Sequence, residues 1–323
     1  MMLSVVMFAA CDNNGPAGSG DPPNGGIVTP GNGEPGNGGS TGGLTPIPDG
    51  TSQDIDATGL EAWWHTGDIT GGVIADRSGS NRPLTVVGNT NQMAGVAGSQ
   101  AFRLDGQSAL TFAPDRYILA DADMTIAFWL NIQGFTPPYD GANLGFGMWQ
   151  NTIMDVEGAI AAMFTEFLIT VSLIWDIDSP SVVSLRATAA GQGGPLATAG
   201  QDALLTDATH DINFYDHRNE WIHVAIVWQN AIDFDNPGTI TIYLNGATNE
   251  HRVQDMFHGD GGPKMIGNPT QDPAWAARTT IGAWIDDGAN VRRGGLFALD
   301  DMRIYTRAIS SQEAMSLAML HNS

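Results

Sequence analysis

The sequence predicts an all-β fold: two antiparallel sheets packed face to face, closed by one short C-terminal helix. Three observations carry this expectation. Apolar residues alternate with a period of two in several separate stretches, the pattern of strands with one buried face. Those stretches are short and punctuated by turn residues, drawn from 41 Gly and 17 Pro. A helix start is legible only near the C-terminus, where Ser310 and Glu313 have the spacing of a capping box.

Composition narrows the function before any motif does. The 323 residues carry 35 Asp and Glu against 13 Lys and Arg, a formal charge of −22. Such a surface repels phosphate backbones, which argues against nucleic acid as a partner, and it attracts divalent cations. A hydrophobic fraction of 42% is ample for a core. Cys11 is the single cysteine, so no disulfide forms within the chain.

The N-terminal part divides in two. Residues 1–11 hold a short apolar run that ends in Ala9-Ala10-Cys11, similar to the end of a bacterial lipoprotein signal. That resemblance implies a lipid on Cys11, attachment to a membrane through it, and a place in the bacterial cell envelope. Residues 12–53 follow as a linker, with 13 Gly and 7 Pro between positions 12 and 50 and no aromatic residue. So few apolar groups cannot offset the entropy of ordering, and a disordered tether is expected.

A single domain is expected over residues 54–323. Gly59 to His65 is its first strand, and Leu84 to Gly88 and Ala109 to Phe112 follow. Met124, Ile126, Phe128, Leu130 and Ile132 then alternate with Thr125, Ala127, Trp129 and Asn131. Ile222, Val224, Ile226 and Trp228 repeat the pattern, and so do Ile240, Ile242 and Leu244, which run into the hairpin pair Asn245-Gly246. Ala159 to Trp175 is apolar but broken by Glu166, too short on either side to cross a bilayer, and reads as two buried strands. Residues 188–209, rich in Gly, Ala and Thr, read as a long loop. Arg278 to Trp284 and Phe297 to Thr306 supply the closing strands, and the helix runs on through Met315, Leu317 and Leu320.

Taken together, several of these stretches resemble the laminin-G-like, concanavalin A-like lectin/glucanase family. Asp301-Met-Arg-Ile-Tyr-Thr-Arg-Ala-Ile-Ser310 is similar to the family's closing strand, and Gly59-Leu-Glu-Ala-Trp63-Trp64 to its opening one. Gly95-Val-Ala-Gly98, Trp221-Ile-His-Val-Ala225 and Ile242-Tyr-Leu-Asn-Gly246 match further family stretches. The likeness is strong at both ends of residues 57–320 and fades between 134 and 220. It implies a jelly-roll sandwich that binds carbohydrate or a glycoconjugate. It also implies a structural Ca2+ ion joining the loop at Asp76, Ser78, Ser80 and Asn81 to Asp300 or Asp301, since hard cations take carboxylate, amide and hydroxyl oxygens.

Catalytic groups are harder to find. Asp155-Val-Glu157 only approximates the acid-rich strand of glucanases with this fold, and reads as two solvated acids on a hairpin rim. The domain has no Gly-x-Ser-x-Gly elbow and no phosphate-binding Gly-x-x-x-x-Gly-Lys loop. Trp149 and Trp275 lie in loop-like sequence and are the candidates to stack on a sugar ring; Trp63, Trp129, Trp221 and Trp228 are expected in the core. A non-catalytic carbohydrate-binding domain is the reading these residues favour. The competitors are a polysaccharide-degrading hydrolase or lyase and a protein-binding adhesion module.

Overall fold

A computed structural model describes Leu44 and residues 55–120, 123–135, 148–157, 167–176, 179–191, 204–210, 212–229, 239–248, 251–255, 264–268, 278–285, 291–292 and 294–320. Cys11, all of the linker but Leu44, and Trp275 lie outside the described residues. Contacts divide the chain into Met1–Gly39 and Ser40–Ser323, and every described element lies in the second part.

The first third of the domain holds β1 (Leu60–Trp64), β2 (Ile69–Thr70), β3 (Val73–Ile74), β4 (Leu84–Val87), β5 (Gln92–Ala94), β6 (Gln100–Arg103), β7 (Ala109–Phe112) and β8 (Arg116–Ala120). Longer strands follow: β9 (Met124–Gly134), β10 (Met148–Glu157), β11 (Phe167–Asp176), β12 (Ser179–Gly191), β13 (Leu204–His210), β14 (Trp221–Gln229) and β15 (Thr239–Leu244). The chain closes with β16 (Ala247–Thr248), β17 (His251–Asp255), β18 (Lys264–Asn268), β19 (Arg278–Ile281), β20 (Trp284–Ile285), β21 (Val291–Arg292), β22 (Leu296–Tyr305) and α1 (Ser311–Met319).

Most of these strands form the expected antiparallel two-sheet sandwich, while β8 pairs with β18 and β20 with β21 as separate two-stranded ladders. One sheet has the order β16-β15-β14-β9-β22-β6-β5, with β1 also paired to β22. The other runs β17-β13-β12-β11-β10-β19-β7-β4-β3-β2. Alternation does what period two demands: Ile126, Phe128 and Leu130 from β9, Ile222 and Val224 from β14, and Leu173 and Leu185 from the second sheet all fall in one buried core. The complementary residues Ala127, Ala225, Val227, Tyr243 and Tyr305 point outward, and Ile309, Ala314 and Leu317 of the C-terminal segment cover them. Asn245 and Gly246, at φ 51° and 78°, make the tight turn from β15 to β16. A side chain at Gly246 would strike the backbone of Met315 on the helix.

The middle of the chain differs from expectation. Residues 188–191 continue β12 and residues 204–209 lie in β13, so the expected loop shrinks to the stretch between them. Asp155 and Glu157 fall in the last three residues of β10, opposite Thr280 and Arg278 of β19. Trp149 also lies within β10 rather than in a loop, opposite Trp175 of β11.

Candidate functional site

The doubled carboxylate on β22 marks a change of partner. Ala298 and Leu299 pair with β6, while Met302 to Tyr305 pair with β1. Along the other edge, the register with β9 moves from Asp300 opposite Trp129 to Arg303 opposite Ala127. An extra residue is therefore accommodated as a β-bulge, and Asp301 takes a left-handed backbone at φ 44°. The bulge lets neighbouring aspartates both find partners on this sheet, where strict alternation would send one to the core.

Asp300 is fully buried. Its Oδ2 accepts from Val96 N at 3.2 Å and from the Ser99 hydroxyl, and its Oδ1 accepts from Asp301 N at 2.8 Å. Burial pushes its carboxyl above the usual carboxylate range, against the pull of those donors. Gly95 is required beside it, since a Cβ there would collide with this carboxylate. Asp301 instead pairs with Arg303, whose Nη2 lies 3.0 Å from Oδ2, and accepts from the Trp63 indole at 2.5 Å. Arg303 in turn sits over the Trp63 ring, 4.6 Å from its centroid. Trp63 is therefore not a core residue; Trp64 takes that place, fully buried against Phe112. His65 lies 3.8 Å from Asp300 and 3.9 Å from Asp301, and burial lowers its pKa despite both acids.

Asp76 does different work. Its two oxygens accept from Trp63 N at 3.0 Å, Ser78 N at 2.9 Å, Ser78 Oγ at 2.9 Å and Arg82 N at 2.9 Å. Three of these donors come from residues 78–82 and fold the 76–82 loop around this carboxylate, and Trp63 N ties it to β1. Asn81, exposed and at φ 57°, supplies the left-handed residue the loop needs. The carboxylate oxygens of Asp76, Asp300 and Asp301 are thus engaged by protein N–H and O–H groups and by Arg303. Among the described residues no group of three or more His, Cys, Asp or Glu side chains could hold a metal ion.

The loop shaped by Asp76 delivers Arg82 to a cleft. Arg82 Nε donates to Tyr117 O at 2.8 Å, and its Nη1 lies 2.8 Å from both Glu61 O and Glu61 Oε2. The guanidinium thereby ties β1 to β8. Around it Glu61, Ser80, Asp115, Arg116, Tyr117 and Leu119 line an open cavity of about 370 Å³. Strand β8 explains the lining: Ile118 and Ala120 turn into the core, so Tyr117 and Leu119 face outward, 40% and 51% exposed. Among the described residues only Val73 joins them as an exposed large hydrophobic side chain. The turn before β8 carries Asp115 at φ 59°.

Sequence reasoning did not find this cleft. The five-residue strand Arg116-Tyr-Ile-Leu-Ala120 does alternate, yet it is apolar at four of five positions and gives no hint of which pair faces outward. No family model and no curated protein matches the chain. Among solved structures it is similar to the botulinum neurotoxin serotype D ligand binding domain in complex with N-acetylneuraminic acid, with TM-score 0.46 and 13% identity over 82% of this chain and 51% of that one. For the binding domain of Paraclostridial Mosquitocidal Protein 1 the TM-score is 0.44 and the identity 16%, over 80% and 52% of the two chains. For the botulinum neurotoxin DC binding domain in complex with rat synaptotagmin II they are 0.48 and 14%, over 80% and 51%. The chain spans about half the length of these structures.

Proposed function

We propose that the domain is a non-catalytic carbohydrate-binding module whose sugar rests in the cleft around Tyr117. One observation carries this: the cleft joins an outward apolar platform, Tyr117 and Leu119, to a rim of charged hydrogen-bonding groups, Glu61, Arg82, Asp115 and Arg116. A pyranose has the matching anatomy, an apolar C–H face and a periphery of hydroxyls. Membership of the concanavalin A-like family and anchorage in the cell envelope through a lipid on Cys11 belong to the same proposal. The two-sheet order supports the first, and the sequence around Cys11 the second.

The test is binding of the full chain to a polysaccharide and glycan panel, in calcium and then in EDTA, while reducing ends are assayed. Binding without sugar release is expected, indifferent to EDTA, and weakened about tenfold or more by Tyr117→Ala, the equivalent of about 1.4 kcal/mol. Release of reducing ends would overturn the non-catalytic reading and direct attention to Asp155 and Glu157 on β10. Loss of lipid labelling in Cys11→Ser is the outcome expected of an anchor at that residue.

A further inference from the structure

The charges in the cleft are not equivalent. Arg82 is fully committed: it holds Glu61 and the Tyr117 carbonyl, both 2.8 Å away. The other described arginine side chains are committed too. Arg77 pairs with Asp68, Arg303 with Asp301 and Arg307 with Glu313; Arg103 donates to Gln133 and Arg218 to a carbonyl. Arg186 also has a partner. Among the described arginine side chains Arg116 alone makes no hydrogen bond or ion pair, and it lines the cleft next to Tyr117. Acids outnumber bases 35 to 13 in this chain, so an arginine side chain with neither an acid nor a hydrogen-bond acceptor stands out from its composition.

From this we infer that the cleft takes a carboxylated sugar, a uronate or a sialate, with the carboxylate on Arg116. This rests on the carbohydrate reading above and names the class of sugar. A guanidinium presents parallel N–H donors that match a carboxylate bidentately, and such charge-assisted pairs are about twice as strong as neutral hydrogen bonds. Glu61 and Asp115 also line the cleft, and their acceptor oxygens suit sugar hydroxyls while repelling a carboxylate. They therefore orient the ligand, hydroxyls toward the acids and carboxylate toward Arg116. The net charge of −22 opposes every acidic ligand at long range, so selection for one requires this contact.

The experiment measures affinity of the full chain, by calorimetry in 0.15 M salt, for two pairs of probes: trigalacturonate with its carboxyl-reduced form, and sialyllactose with lactose. The expected result is that the acidic member of one pair binds at least tenfold more tightly, and the pair that responds tells uronate from sialate. Arg116→Gln should erase that preference without changing Tm, because the side chain has no hydrogen-bond or ion-pair partner among the described residues; Arg116→Lys should restore part of it. Equal affinity within both pairs, or a preference that survives Arg116→Gln, overturns the inference. If both acidic preferences are absent while Tyr117→Ala still abolishes binding of the neutral probes, the carbohydrate site stands and only the acid class falls. If no probe binds, or if Tyr117→Ala changes nothing, the site itself falls and the inference with it.

Discussion

Asp300 and Asp301 are neighbours in sequence with opposite electrostatics. Asp300 is buried, and burial raises its pKa against the pull of the Ser99, Asp301 and Val96 donors. A raised carboxyl binds its proton more tightly in the native than in the unfolded chain. Its contribution to stability is therefore full below the unfolded value near pH 3.9 and is lost as pH rises through the native pKa. Urea unfolding of Asp300→Asn at pH 4 and pH 7 should show the variant gaining on the native protein at the higher pH; a difference independent of pH would sink this account. Asp301 is the counter-charge of Arg303, which is only 8% exposed. Asp301→Ala strands that guanidinium, and a loss of about 3 kcal/mol or more is expected from the urea midpoint. Asp76, with four donors on one carboxylate, should be costly for a different reason. Asp76→Ala releases the loop that carries Arg82, so sugar affinity should fall along with stability. The aspartates could be picked out of the sequence because chemistry-bearing residues stand out in it. Their partners could not: Trp63 and Asp301 are 238 positions apart, and only the fold joins them.

The C-terminal helix was legible because its instructions are local. Ser310 Oγ accepts from Glu313 N at 3.2 Å, and Glu313 Oε2 accepts from Ser310 N at 2.8 Å, the reciprocal pair that the spacing announces. Ser310→Ala should cost about 1 kcal/mol in chemical unfolding. Arg307 adds a contact no spacing announces: it pairs with Glu313 and donates to Asp56 O and Thr58 O, fastening the helix start to the entry of β1. That hydrogen bond is the main reason the Glu313 carboxyl is held below the usual range. A lowered carboxyl stabilises above its unfolded pKa, near 4.3, and loses that contribution as pH falls. The penalty of Glu313→Gln at pH 7 should therefore fade toward pH 3. Strands β12 and β13 were illegible for the complementary reason. Their Ala, Thr and Gly residues signal a loop by composition, and it is pairing with β11 and β17 that makes them strands. Strand β10 was missed likewise, since Trp149 sits in loop-like sequence and it is pairing with β11 and β19 that makes the stretch a strand.

At the scale of the whole molecule the unbalanced charge and the calcium expectation meet in one measurement. A net −22 destabilises the compact chain by self-repulsion, and salt screens this: the Debye length falls from about 30 Å at 0.01 M to about 10 Å at 0.1 M. Tm should therefore rise by several degrees on going from 0.01 to 0.3 M NaCl, with most of the gain below 0.1 M. A specific calcium site would behave differently. With a Kd of about 10 μM, it would stabilise by about 2.7 kcal/mol at 1 mM CaCl2, whatever the background salt. For a domain of this size that corresponds to a rise of roughly 5–10 °C. The Asp76, Asp300 and Asp301 oxygens are engaged by protein donors, so in 0.1 M NaCl the expected response to 1 mM CaCl2 is less than about 1 °C. A rise of several degrees that EDTA reverses would mean that these carboxylates exchange their protein donors for the ion. The hydrogen bonds around Asp76 would then describe only the metal-free state.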